Sequence, residues 1–225
     1  EGDWPTRRAA AYRAYLEWMP IREAGGQNIR LYRTFRFGSL ADLLMLDTRG
    51  LRYQQVAADN LAGLTDTSRT LLGAPQEAWL FDQLRASQKA GTGWRLLGQQ
   101  IMFSRLSFPG RPVPLTDTWD GYQAARERVL EVIATEQIGN VAILAGDIHS
   151  SWAFDVPRNP WSGYTAVSGR GSLAVELITP AISSPPLFTD PVIRERAPAL
   201  RAFLPHLKFL EGESRGYILV DITRN

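Results

Sequence analysis

The chain has no cysteine among its 225 residues, so disulfides, thiolate nucleophiles and cysteine-ligated zinc or iron sites are excluded from it. Histidine is nearly as scarce: there are two, and any imidazole chemistry must use His149 or His206. A field of one sign is also missing, since 25 basic residues oppose 23 acidic ones for a formal net charge of +2. That balance argues against nucleic acid as a dedicated partner and against a membrane-surface role. No apolar run approaches the ~18–20 residues that span a bilayer, and the start of the chain lacks the charged, apolar and small-residue order of a signal peptide. An initiator methionine is lacking too. Glu1-Gly2-Asp3-Trp4-Pro5 runs straight into a helical pattern, which reads as a piece cut from a longer polypeptide.

What is present is ordinary globular composition, 44% hydrophobic and 21% charged, with length enough for one sizeable core. No repeat, low-complexity stretch or long linker divides the chain, so a single domain over 1–225 is expected. Apolar positions at Ala11, Tyr12, Tyr15, Leu16 and Met19 predict a helix with one buried stripe, stopped by Pro20. Residues 29–37 alternate as a half-buried strand. The run Leu43-Leu44-Met45-Leu46 predicts a strand buried on both faces. A helix from Pro75 carries Trp79, Leu80 and Leu84, and a second apolar strand runs from Trp94 to Phe103. Another helix covers 121–135, and Val141 to Ala145 form a third buried strand. Strand, helix, strand, helix, strand over 43–149 predicts an α/β fold with right-handed crossovers. Strands at 152–156, 173–179 and 216–223, interrupted by a helix near 191–203, are expected to add antiparallel strands or a second sheet. The expected architecture is therefore a mixed β-sheet or sandwich flanked by helices.

In such sheets ligands gather at the carboxyl ends of the strands. Three polar clusters fall there: Asp47-Thr48-Arg49, Gly98-Gln99-Gln100 and Asp147-Ile148-His149. In an extended Asp-x-His both side chains project to one side, so Asp147 and His149 can share a metal ion. The alternative is a turn-capping Asp and a His packed on Trp152. Gln99 either offers its carbonyl oxygen to a metal or hydrogen-bonds a neighbouring strand end. Arg49 either clamps a phosphate or pairs with a surface carboxylate. Trp119 and Tyr122, with Asp120, either line a substrate entrance or staple the following helix. Glu176, inside an apolar run, must pair with an arginine or face the site. His206 reads most simply as a packed histidine.

The ordered motifs Leu46-Asp47-Thr48, Leu72 to Leu80, Trp94 to Gln100 and Gly146-Asp147-Ile148-His149 resemble the second half of a calcineurin-like metallophosphoesterase. More closely, Asp47-Thr48-Arg49, Asp117 to Tyr122, Gly146 to Trp152 and Ala174 to Pro180 resemble the PhoD-like alkaline phosphatases. The resemblance covers nearly the whole chain. It implies a metallophosphoesterase-like fold lacking its N-terminal half, with Asp147 and His149 as metal ligands and catalytic residues and Gln99 as a further ligand. Arg49, Trp119 and Tyr122 become substrate-binding candidates. It also implies calcium and iron(III) as cofactors, phosphate monoesters and diesters as substrates, water activated by the metal, and a periplasmic or secreted location. The family's other ligands, an early Asp, an Asp with a nearby Tyr, a Cys, and an Asp-His or Asn motif, have no match in these residues. The chain alone is thus expected to hold metal weakly and to hydrolyse little. The competing expectation is a non-catalytic scaffold without a working metal centre.

Overall fold

A computed structural model describes residues 2–22, 30–186 and 191–224. Its frame is one seven-stranded mixed sheet built from β1 (Arg33–Phe37), β2 (Ala41–Met45), β3 (Trp94–Gly98), β4 (Val141–Ala145), β5 (Ser151–Pro157), β6 (Ser172–Ile178) and β7 (Leu207–Glu211). The order across the sheet is β1-β2-β3-β4-β6-β5-β7, with β2, β3, β4 and β6 parallel and the others antiparallel to their neighbours. The predicted α/β core over 43–149 is therefore present. Among the described residues there is one sheet and no second layer of strands. No described helix is long and apolar enough to cross a membrane.

The crossovers are α3 (Ala74–Lys89), between β2 and β3, and α4 (Gln123–Thr135), between β3 and β4, the latter entered through a single 3-10 turn, η1 (Trp119–Tyr122). A short helix, α2 (Leu61–Thr65), precedes them. Their apolar stripes, Leu80 and Leu84 on α3 and Val129, Leu130 and Ile133 on α4, pack with Leu44, Leu97 and Ile143 of the sheet into the main core. Each such fully buried side chain contributes roughly 1.5–3 kcal/mol. Arg128 ties the two helices together. Its guanidinium donates to both oxygens of Glu77 (2.5 and 2.9 Å) and to the carbonyls of Thr67 and Arg69. Removing a partly buried bidentate pair with those extra bonds, as in Arg128→Ala, is expected to lower unfolding free energy by about 2 kcal/mol in urea titrations.

Five expectations need correction. The helix α1 (Trp4–Trp18) forms, capped by Asp3, whose carboxylate accepts from the Thr6 amide at 3.0 Å, but it buries no residue. Only Tyr12 and Leu16 of its predicted stripe are half-covered. A cavity of about 830 Å³ lies between α1 and the β1–β2 face, so Leu43 and Met45 are half-buried and β2 is closed on one side only. The strand predicted at 29–37 shortens to β1; position 29 lies outside the described residues. The strand predicted over 94–103 stops at Gly98, and 101–107 is irregular backbone despite its burial. Residues 216–223 carry no strand; the last sheet strand is β7, after α5 (Pro191–Phe203). Farther along the same face of the sheet, toward β5 and β7, Met102, Ala145, Trp152, Phe154, Ile178 and Leu207 form a second cluster.

Candidate active site

Because β2, β3 and β4 are adjacent and parallel, their carboxyl ends meet, and the three polar clusters of the sequence meet with them. Backbone bonds lace the ends together: Leu46 N–H to Gly98 O, Gln99 N–H to Leu144 O, and Gly146 N–H to Gln100 O. Two glutamines do the rest. The Gln100 side chain accepts from the Thr48 amide (2.8 Å) and hydroxyl (2.6 Å) and donates to Leu46 O. The fully buried Gln76 of α3 brackets Asp47, accepting from its N–H at 2.7 Å and donating to its carbonyl at 2.8 Å. Asp47 itself closes a turn, its Oδ1 accepting from the amides of Arg49 (3.0 Å) and Gly50 (2.8 Å). The turn delivers the Arg49 side chain to the rim.

Arg49 donates to Asp147 Oδ2 at 2.9 Å and lies 3.5 Å from Asp117 Oδ2. All three side chains are partly exposed, at 38 to 45%. Asp117, Asp147 and His149 line a cavity of about 380 Å³ together with Met102 and Pro185, a volume sufficient for a small ligand. The His149 Nδ1 sits 3.1 Å from the Pro185 carbonyl oxygen. A ring nitrogen facing a carbonyl must carry the proton, and the neutral tautomer then leaves Nε2 with a bare lone pair.

Asp147 and His149 are not extended. Their φ angles are 71° and 56°, in the left-handed region, so the strand-periodicity argument for a shared direction fails. The turn is held by different means. Ile148, between them, packs into the second apolar cluster and donates from its amide to Gly146 O at 2.8 Å. The hydroxyl of the buried Ser150 donates to Ile148 O (3.1 Å) and accepts from the Trp152 indole (2.7 Å). With the apolar residue drawn inward, the flanking acid and imidazole stay exposed.

The remaining candidates lie elsewhere. Gln99 is buried and spends its amide locally, its Nε2 donating to Ile101 O while Oε1 accepts from the amide of Ile101 and the Trp119 indole, each at 3.2 Å. In this structure its amide ties the loop after β3. Trp119 and Tyr122 are 1% exposed and belong to the core, so neither lines an entrance. The Tyr122 hydroxyl donates to Tyr53 O, and burial raises its pKa. Glu176 neither pairs directly with an arginine nor faces the site; its two oxygens accept from the amides of Phe103 (2.7 Å) and Ser104 (2.8 Å). His206 is the packed histidine expected, 1% exposed, its Nε2 on Arg105 O. Sequence reading missed Asp117 as a site residue, although it begins the Asp-Thr-Trp-Asp-Gly-Tyr motif.

As a metal site these side chains are incomplete. Among the described residues no three His, Cys, Asp or Glu groups come together to hold an ion. One carboxylate already engaged by Arg49 and one bare imidazole nitrogen form an edge of a coordination sphere and do not close it.

Residues 1–225 match the family described as PhoD-like phosphatase. Alkaline phosphatase D of Bacillus subtilis (strain 168) is 35% identical over 227 residues, an overlap covering 96% of this chain and 37% of that protein. A solved structure of PhoD superposes with a TM-score of 0.76 at 33% identity, covering 94% of this chain and 40% of that one. The chain thus spans well under half the length of either relative.

Proposed function

The chain belongs to the PhoD-like phosphatase family, and from that premise we propose that the cavity at the ends of β2, β3 and β4 is one wall of a phosphoester hydrolase site for phosphate monoesters or diesters. The observation that carries this reading is the grouping of Asp117, Asp147 and His149 on one cavity, with Arg49 held at its edge by both carboxylates. On substrate entry Arg49 turns its planar fork from the carboxylates to phosphate oxygens, which it can grip bidentately. Asp147 and the Nε2 of His149 are the groups on this chain that face a metal. The family resemblance points to calcium and iron(III), which when bound would polarise the phosphoryl group and ease deprotonation of the attacking water. Two donors do not close a coordination sphere, so further ligands come from outside the described residues. The 225-residue chain by itself is then a weak metal binder and a poor catalyst. A periplasmic or secreted location goes with the same resemblance.

One observation favours a second reading, a scaffold without a working metal centre: Asp147 is already neutralised by Arg49. The two histidines separate the readings, because one lies in the cavity and the other in the core. Under the enzyme reading, orthophosphate with Ca²⁺ or Fe³⁺ perturbs the imidazole resonances of His149 and spares those of His206. Arg49→Ala then weakens phosphate binding about tenfold, consistent with loss of a charge-assisted pair. The same substitution changes stability by only about 0.5 kcal/mol or less, since its ion pairs are solvent-exposed. A His149 signal indifferent to both ions supports the scaffold.

A further inference from the structure

Residues 101–107 are the anomaly of this fold, an irregular segment whose residues 101–104 and 107 are buried, where ladder partners for backbone amides are absent. Two carboxylates stand in for the missing strand. Glu176, 0% exposed in the middle of β6, accepts from the Phe103 and Ser104 amides. Asp120, 1% exposed in η1, accepts through one oxygen from the amides of Leu106 (2.9 Å) and Ser107 (3.0 Å) and from the Ser107 hydroxyl. From a third side His206 meets Arg105 O at 2.9 Å, and the Trp119 amide donates to Met102 O.

The segment so fixed reaches the cavity at its other end. Met102 forms part of the cavity wall and shares the apolar cluster into which Ile148 packs, the residue that holds the Asp147–His149 turn. Gln100, just before it, grips Thr48 beside Arg49 and receives the Gly146 amide. Burial of two acids is unfavourable without a compensating role for their oxygens, and here every bond they make goes to this one segment.

We propose that Glu176 and Asp120 are positioning residues for the phosphate cavity: by holding the amides of 103, 104, 106 and 107 they set Met102 against the Asp147–His149 turn. The phosphate label rests on the function proposed above; the mechanical coupling does not. Neither acid touches the cavity, so the prediction concerns placement and not chemistry.

Glu176→Gln tests it in the 225-residue chain. Glutamine offers one accepting oxygen, and its NH₂ must face an amide N–H, so one of Phe103 and Ser104 loses its partner. Amide exchange at Phe103 and Ser104 is expected to accelerate by roughly tenfold or more, and exchange at Gly146 and Ile148 to accelerate with it. The His149 imidazole resonance shifts in the absence of any ligand. Acceleration confined to 103–107, with Gly146, Ile148 and His149 unchanged, overturns the proposal. Should Glu176→Gln lose its near-ultraviolet circular dichroism, Asp120→Ala is read by the same signals, since it removes the one oxygen that accepts from the Leu106 and Ser107 amides. Failure of the phosphatase reading has a separate signature: orthophosphate then leaves His149 unmoved in the unsubstituted chain, whatever Glu176→Gln does to the exchange rates.

Discussion

Trp119→Ala is expected to remove about 3–5 kcal/mol of stability, the cost of deleting a large side chain from a core that relaxes only in part. The indole is 1% exposed, its ring lies 4.8 Å from that of Phe103, and its N–H donates to Gln99 Oε1. A domain's whole stability is roughly 5–15 kcal/mol, so the variant sits near the edge of folding. Trp119→Phe, which keeps an aromatic ring and loses the donor, should forfeit roughly half as much. Urea titration measures both. A Trp119→Ala protein of unchanged urea midpoint that has lost phosphate binding would return the residue to the cavity and contradict its burial.

The second large effect is a pH dependence that two buried groups conceal from each other. Burial pushes the Glu176 carboxyl up to about 7 from 4.5, against the lowering pull of Ser104, Phe103 and Arg126. Burial likewise pulls His206 down to about 4 from 6.5. For Glu176 the folded state takes up a proton before the unfolded chain does, so stability rises as pH falls from about 7 to 4.5. For His206 the unfolded chain protonates first, so stability is full above 6.5 and is lost as pH falls toward about 4. At ~1.4 kcal/mol per pH unit each contribution amounts to about 3 kcal/mol, opposite in sign. Between pH 4.5 and 6.5 they cancel. His206→Gln, which keeps a donor for Arg105 O, should therefore unmask Glu176, gaining stability relative to the unsubstituted chain by about 3 kcal/mol over that acid window. A difference curve that stays level from neutral pH to pH 4.5 would rule out the opposed pair.

Local periodicity carries the centre of the fold. Leu80 and Leu84, or Val129, Leu130 and Ile133, recur at helical spacing and do face the sheet. The same signal promises too much for α1. Tyr12, Tyr15 and Leu16 recur just as regularly, yet period tells only that a face exists, while burial needs a surface to meet it. Apolar content misleads in a second way at Ile101, Met102 and Phe103. Those residues are buried, as a strand would be, but their segment's amides are served by Glu176 and Asp120, 72 and 13 positions away in the closest pairs. No window of neighbouring residues contains that information. At the tail, the apolar stretch from Tyr217 to Val220 looks more strand-like than Leu207 to Glu211, although the latter pairs with β5.

The candidate site divides along the same line. Asp147 and His149 were visible because they follow an apolar strand directly, and Arg49 because it follows another. Asp117 sits in a loop whose position depends on η1, and Gln76 looks like an ordinary first-turn helix residue until Asp47 is found beside it. Long-range partners decide such roles, and a sequence pattern reports only near ones.

The left-handed backbone at Asp147 and His149 restricts the alphabet of this turn. Few side chains accept that conformation cheaply, and aspartate, asparagine and histidine are prominent among them, whereas β-branched residues are not. The residues that tolerate this mirror-like geometry happen to be good donors to hard or borderline cations. A library randomised at these two positions should return mainly Asp, Asn, His and Gly when selected for folding alone. The choice of side chain at this turn is narrowed by chirality alone, and Asp147→Asn is a cleaner probe of charge than Asp147→Val.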